Sequence, residues 1–230
     1  DIRPGVVSFH FGLPTPDLLA RVKATGAKIL SSATTVAEAH WLEARGVDAV
    51  IAMGAEAGGH RASFLQMDMS RQVGTFALVP QIVDAVSVPV IAAGGISDGR
   101  GLAAALLLGA SAVQVGTAYL LTREATISEA HLAALMSATD DGTQITNIFT
   151  GRPARGINNR AMRELGPLSE LAPDFPLAGG ALAPLKASAA LNGTVEFSNL
   201  WAGQSAALAK PTDAAALTRA LAAEALARLC

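Results

Sequence analysis

The run Gly54-Ala55-Glu56-Ala57-Gly58-Gly59-His60-Arg61 carries the strongest chemical signal in the sequence. Paired glycines lack the side chains that keep backbone N–H groups away from a ligand, so the chain can approach one closely there. An imidazole changes charge near neutral pH, which suits a general base or an anion contact. A histidine by itself is most often a hydrogen-bonded packing residue. The position of His60 directly after Gly58-Gly59, beyond the apolar run 49–53, favours a site at the mouth of a fold instead. Two more turns, Ala92-Ala93-Gly94-Gly95-Ile96 and Gln114-Val115-Gly116-Thr117, follow apolar runs in the same way. A Gly-Gly turn alone is only a turn. Two of them after successive strands point to a phosphate-bearing ligand held by backbone amides. Ser8-Phe9-His10-Phe11-Gly12-Leu13-Pro14 brings His10 toward the same mouth, as a substrate contact or as a structural histidine. His40 and His131 sit in helical patterns and read as surface or packing residues. Arg152, Arg155 and Arg160 lie in an Asn/Gly-rich segment, where they either bind an anion or hydrogen-bond loop carbonyls.

These residues need elements to position them, and short apolar runs alternate with helical patterns along the first half. Strands are expected over 6–11, 28–32, 49–53, 89–93 and 112–119. Helices are expected over 15–25, 36–45, 76–86 and 102–108, with Thr34 or Thr35 capping the second and Gly26 and Gly46 stopping the first two. Repeated βα units with continuous apolar strands make a parallel sheet, either closed into a barrel or doubly wound. Candidate site residues fall at the C-terminal ends of five strands, as in a barrel, and no Gly-x-Gly-x-x-Gly turn follows the first strand. The expected fold is therefore α/β, a TIM-type (β/α)8 barrel. Only about the last five βα units are present in this chain, so the first strands would come from upstream sequence or another chain. Beyond 122 the pattern changes: a helix over 128–137, a polar stretch over 140–160, a proline-broken stretch over 163–184, a short helix near 181–191 and a long Ala/Leu helix over 213–229. The expected division is a ligand-binding barrel over 1–122, a smaller cap or insertion over 123–195, and a segment over 196–230 that returns to the barrel.

Composition narrows the class of function. The 230 residues are 51% hydrophobic and 16% charged, with 22 Gly and a formal charge of −2. No strong basic run is present, so nucleic acid is not the expected partner. The single cysteine, Cys230, allows no intrachain disulfide and offers no metal-site spacing. Residues 101–121 carry no charge and are long enough to span a bilayer, yet Gly109, Gln114 and Gly116-Thr117 divide them better into a helix and a strand. From Asp1 onward no apolar run follows Arg3 and Pro4, so no export signal is read and a soluble, cytoplasmic protein is expected.

Taken together, the motifs resemble the class I nitronate monooxygenases, formerly 2-nitropropane dioxygenases. The resemblance rests on residues 8–14, Glu56-Ala57-Gly58-Gly59-His60-Arg61, residues 92–96 and residues 114–117. It is strengthened by Asp140-Asp141-Gly142-Thr143-Gln144, by Phe149-Thr150-Gly151-Arg152-Pro153-Ala154-Arg155 and by Asn199-Leu200-Trp201-Ala202-Gly203-Gln204. It implies a barrel holding non-covalent FMN. Met53, Gly58 and Gly59 would touch the flavin, and Gly94, Gly95, Gln114, Val115, Gly116 and Thr117 would lie toward its phosphate. It further implies His60 as catalytic base, His10 as substrate contact, and oxidative denitrification of nitronates or nitroalkanes by O2. Met53 stands where the family usually has Gln, and Ala62 where Gly usually follows His-Arg. The Glu-Ala-Gly-Gly-His run alone is shared with enoyl-ACP reductase II. An NAD(P)H-dependent flavin reductase of the enoyl-ACP reductase II or quinone reductase type is thus the nearest alternative, and a flavin- or phosphate-binding module without catalysis is a third.

Overall fold

Apolar runs Val6–Phe9 (β1), Lys28–Ala33 (β2) and Ala49–Met53 (β3) pair side by side in parallel, and Pro16–Lys23 (α1) and Val36–Glu43 (α2) connect them. The computed structural model describes residues 2–230, which leaves Asp1, where the reading for an export signal begins, outside the described residues. After β3 comes a two-residue strand, Gly59–His60 (β4), then Thr75–Ala85 (α3), Val90–Ala93 (β5), Gly99–Leu107 (α4) and Ala112–Gln114 (β6). The parallel sheet has the order β1-β2-β3-β5-β6. It advances in one direction, without the reversal that marks a doubly wound sheet.

Strand alternation divides the sheet between two faces. Val50 and Ala52 of β3 enter the main core with Ile29, Val90 and Ala92. Leu19 of α1, Leu42 of α2, and Leu78, Val79 and Ile82 of α3 pack on them from outside. Ile51 and Met53, offset by one residue, face the opposite way and line a cavity. Thr35 is the cap of α2, its hydroxyl accepting from Glu38 N, whereas Thr34 bonds the Glu38 carboxylate. Gly26 and Gly46 end the first two helices with φ of 82° and 72°, a region that costs glycine little.

Two expectations need correction, and one stretch gains elements that its pattern does not announce. Residues 112–119 are not one buried strand: β6 stops at Gln114, and Thr117–Leu120 (α5) is a helical turn. Ala112 and Gln114 are exposed because β6 is an edge of the sheet. The helix expected over 102–108 is only half-buried, with Ala103 and Ala105 inward and Leu107 outward. The polar stretch 140–160, for which the sequence suggests no elements, contains strands. It forms Thr143–Thr146 (β7) and Ala154–Ile157 (β8), which follow Glu129–Met136 (α6), and the antiparallel order β4-β8-β7 builds a second sheet. His60 pairs there with Ala154, and Gly59 with Arg155.

The remaining helices are Arg160–Leu165 (α7), Ala178–Leu191 (α8) and Ala214–Leu229 (α9). Asp213 caps α9 by accepting from Ala216 N at 2.7 Å. This helix lies against α4 so closely that a Cβ at Gly99 would stand 2.2 Å from Glu224 Cβ. Among the described residues no helix is long and apolar enough to cross a membrane.

Candidate active site

The C-terminal ends of β3, β5 and β6 surround a cavity of about 240 Å³. Met53, Gly58 and Gly59 line one side of it, Gly94, Gly95 and Ile96 another, and Gln114, Gly116 and Thr117 a third. His10 also reaches it. Val115 is placed differently, since its side chain packs against the main core and only its backbone lies beside the other three.

The glycines serve different purposes. Gly94 and Gly95 have φ of 111° and 72°, which L side chains rarely adopt. Gly58 is required by the protein itself, because a Cβ there would stand 2.6 Å from Ala202 C and Gly203 N. That close approach belongs to the chain's own packing, while Gly58 still lines the cavity. At Gly116 φ is unremarkable and a Cβ would meet nothing within 4 Å, so its missing side chain leaves open space. The N–H groups of Gly95, Ile96, Gly116 and Thr117 find no backbone acceptor among the described residues. Two successive strand ends thus present unpaired donors beside one cavity.

A segment far along the chain closes the site. Trp201, Gly203 and Ser205 line the cavity. Gly203 N donates to Thr117 Oγ1 at 2.9 Å, and Gln204 N donates to Glu56 O at 2.9 Å. The sequence motif Asn199–Gln204 is recognisable, but nothing in its local pattern says that it crosses to the Gly58 turn.

His60 borders the cavity rather than lining it. Its ring stands 5.5 Å from that of Trp201, 5.7 Å from Phe175 and 6.0 Å from Phe11, centroid to centroid. Its Nε2 is 2.9 Å from Thr150 Oγ1. Desolvation by these neighbours lowers the His60 pKa, and the charges of His10 and Arg152 lower it further. His10 donates from Nε2 to the His60 carbonyl at 3.1 Å. Although solvent reaches His10, desolvation lowers its pKa too, opposed by that hydrogen bond and reinforced by Arg152 and Arg61. Both shifts favour the neutral imidazole. Phe11, between the two rings, holds φ at +64° without being glycine, and the Arg152 guanidinium lies 3.8 Å above its ring. Such a conformation persists only where surrounding contacts over-determine it.

Buried polar groups brace this arrangement. Arg61 is 1% exposed, donates to Gln72 Oε1 and to Met53 O, and burial followed by the Arg155 charge lowers its pKa to about 10. Glu38, fully buried, accepts from Thr34 N and Oγ1 and from the N–H groups of Phe64 and Leu65. It thereby ties α2 to the loop leaving His60. Of the three arginines singled out, Arg155 bonds the carbonyls of Ala55 and Thr143, and Arg160 pairs with Glu164 at the surface. Arg152 bonds Ser63 O but has no carboxylate partner among the described residues. His131 bonds Trp201 O at 3.2 Å and His40 is exposed, consistent with packing and surface roles.

Comparison with known proteins points to one family and a shared fold. The sequence model of the nitronate monooxygenase family matches residues 1–224. A probable nitronate monooxygenase of Staphylococcus aureus (strain Newman) is 45% identical over 205 residues, covering 89% of this chain and 58% of the relative. The crystal structure of nitroalkane oxidase from Streptomyces ansochromogenes superposes with a TM-score of 0.88 at 42% identity, over 96% of this chain and 64% of that one. FabK from Thermotoga maritima superposes with a TM-score of 0.79 at 32% identity, over 97% and 68%. The chain thus spans less than two thirds of the length of its curated relative.

Proposed function

This chain belongs to the nitronate monooxygenase family, and from that premise we propose that it takes part in FMN-dependent oxidative denitrification of alkyl nitronates or nitroalkanes by O2, giving a carbonyl compound and nitrite. The observation that carries the reading is a glycine-walled cavity with unpaired backbone amides, set beside two histidines of lowered pKa. The residues present fit a flavin mononucleotide. Open space at Gly59 and Gly116 admits a group that any Cβ would crowd. Among the described residues no lysine or arginine lines the cavity, so backbone amides of Gly94–Ile96 and of Gln114–Thr117 would hold the phosphate, as amide nests hold anions. Met53, Gly58 and Gly59 would flank the ring system. A Met53 thioether gives a softer, less polar contact than the glutamine usual in the family. Bound FMN would supply the redox chemistry, accepting electrons from substrate and passing them to O2.

The chain's own residues would handle the proton. Neutral His60 would remove the α-proton of a neutral nitroalkane, and its lowered pKa keeps it in the accepting form at neutral pH. A pre-formed nitronate needs no such step. Because burial favours the neutral imidazole, the charge that attracts a nitronate would come from Arg152, whose field both histidines feel. His10, on the cavity wall, would contact substrate. Phe11, Phe175 and Trp201 would exclude water from the reacting carbon.

The edges at β1 and β6 would be bridged by further parallel strands from upstream sequence or another chain, completing a (β/α)8 barrel. Residues 1–122 would then form the flavin-binding unit, 123–195 the smaller insertion and 196–230 the returning segment. Pairing of β4 with β8 makes the first two interlock. Aerobic turnover of propionate 3-nitronate by the FMN-loaded protein, compared with anaerobic NADH oxidation, tests the activity. Nitrite release faster than nicotinamide oxidation is expected. Fast flavin reduction by NADH without any nitronate reaction would place the protein with the flavin reductases instead.

A further inference from the structure

We propose that Thr150 sets the tautomer of His60, keeping its proton on Nε2 and leaving Nδ1 as the nitrogen that accepts the substrate proton. This rests on the reading of His60 as the base. Nε2 lies 2.9 Å from Thr150 Oγ1. The same hydroxyl lies 3.1 Å from Arg152 O and receives Arg152 N–H at 3.3 Å. A threonine hydroxyl has one hydrogen and two lone pairs. The Arg152 carbonyl can only accept, so committing that hydrogen to it leaves Oγ1 an acceptor toward the ring, and Nε2 must bring the N–H. In the reverse arrangement Thr150 would donate to Nε2, and the Arg152 carbonyl would lose this donor.

Thr150 is not free to turn away. Its turn is closed by Gly151 N donating to Asn147 O at 2.7 Å, and the Asn147 side chain bonds Ser169 O and Ser169 N. Gly151 presses against residues 173–175, the stretch that brings Phe175 to the His60 ring. On the other side of the imidazole, Nδ1 has no hydrogen-bond partner among the described residues and is not an enclosed unpaired atom. In the step itself the α-carbon–hydrogen bond breaks and an N–H bond forms at Nδ1. The electron pair passes into the nitro group, leaving a nitronate and an imidazolium. The Nε2–H stays on Thr150 throughout, so the ring is held in place while its charge changes.

Nitrogen-15 NMR of the full chain with labelled histidine, above the imidazole pKa, reads the tautomer without activity. The His60 signals are assigned by their loss in His60→Asn. In the wild type, and in Thr150→Ser, Nε2 should resonate as the protonated nitrogen and Nδ1 as the bare one. Thr150→Val sets a methyl against Nε2–H, so the Nδ1-protonated form should become populated. Its kcat/KM on a neutral nitroalkane should fall about tenfold, a share of what a positioned base contributes, with turnover of pre-formed nitronate little changed. A wild-type spectrum with the proton on Nδ1, or a Thr150→Val spectrum identical to wild type, overturns the proposal. The expected spectra without nitroalkane turnover would leave the Thr150 assignment standing and overturn the activity reading alone.

Discussion

Gly58 and Gly116 both border the cavity, yet the structure separates what a side chain would do at each. In Gly58→Ala the new methyl would stand 2.6 Å from Ala202 C and Gly203 N, which are backbone atoms in a buried stretch and cannot swing aside. Overpacking of this kind costs about 1–3 kcal/mol. Displacing Gly203 also breaks its hydrogen bond to Thr117 Oγ1, worth about 1 kcal/mol net. The sum, roughly 2–4 kcal/mol, corresponds to a fall in Tm of roughly 4–16 °C for a chain of this size. At Gly116 no atom of the described residues beyond its two chain neighbours lies within 4 Å of the added Cβ, so Gly116→Val should change Tm by less than about 2 °C. It should instead project into the proposed phosphate site and give a folded protein that purifies without flavin colour. Thermal denaturation followed by circular dichroism, with flavin absorbance on the same samples, distinguishes the two. Equal stability of Gly58→Ala and wild type would refute the packing reasoning. Full flavin occupancy in Gly116→Val would refute the placement of the phosphate.

Three further outcomes are expected. His60→Asn keeps a polar shape but cannot accept the proton, so turnover of neutral nitroalkanes should fall by about 10²–10⁴-fold and that of pre-formed nitronate by less; equal losses in steady-state assays would move the base to His10. His10, His60 and His131 all have pKa values lowered from the ordinary 6.5, so the unfolded chain binds more protons than the folded one below that value. Their contribution to stability is present above pH 6.5 and is lost as pH falls through the lower folded values, so denaturation midpoints should drop between neutral pH and pH 5; a flat profile would contradict these shifts. Glu38→Gln places an amide NH2 among four donors from Thr34, Phe64 and Leu65, and should cost at least about 2 kcal/mol by urea denaturation while loosening the loop after His60.

Much of the site is legible along the chain because its parts are local. The apolar run Ala49–Met53, the glycine turn after it and His60 all lie within twelve residues, and the same βα pattern repeats through Ala93 and Gln114. Parallel pairing of neighbouring units follows from those runs, since near-continuous apolar strands joined by helices form parallel sheets whose faces the helices cover. Thr143–Thr146 and Ala154–Ile157 are different. They are short and largely polar, and Gly59–His60, the second partner of Ala154–Ile157, lies about ninety residues away, so no local period announces them. Thr150, Phe175 and Trp201 likewise reach the His60 ring from 90 to 141 residues along the chain. Residue type and spacing determined where a histidine and a glycine cradle would stand. Which of its glycines pack the protein, which leave room for a ligand, and which rings desolvate the histidine depended on long-range contacts. Only the tertiary structure decided them, because burial and close approach are properties of what surrounds a residue in space.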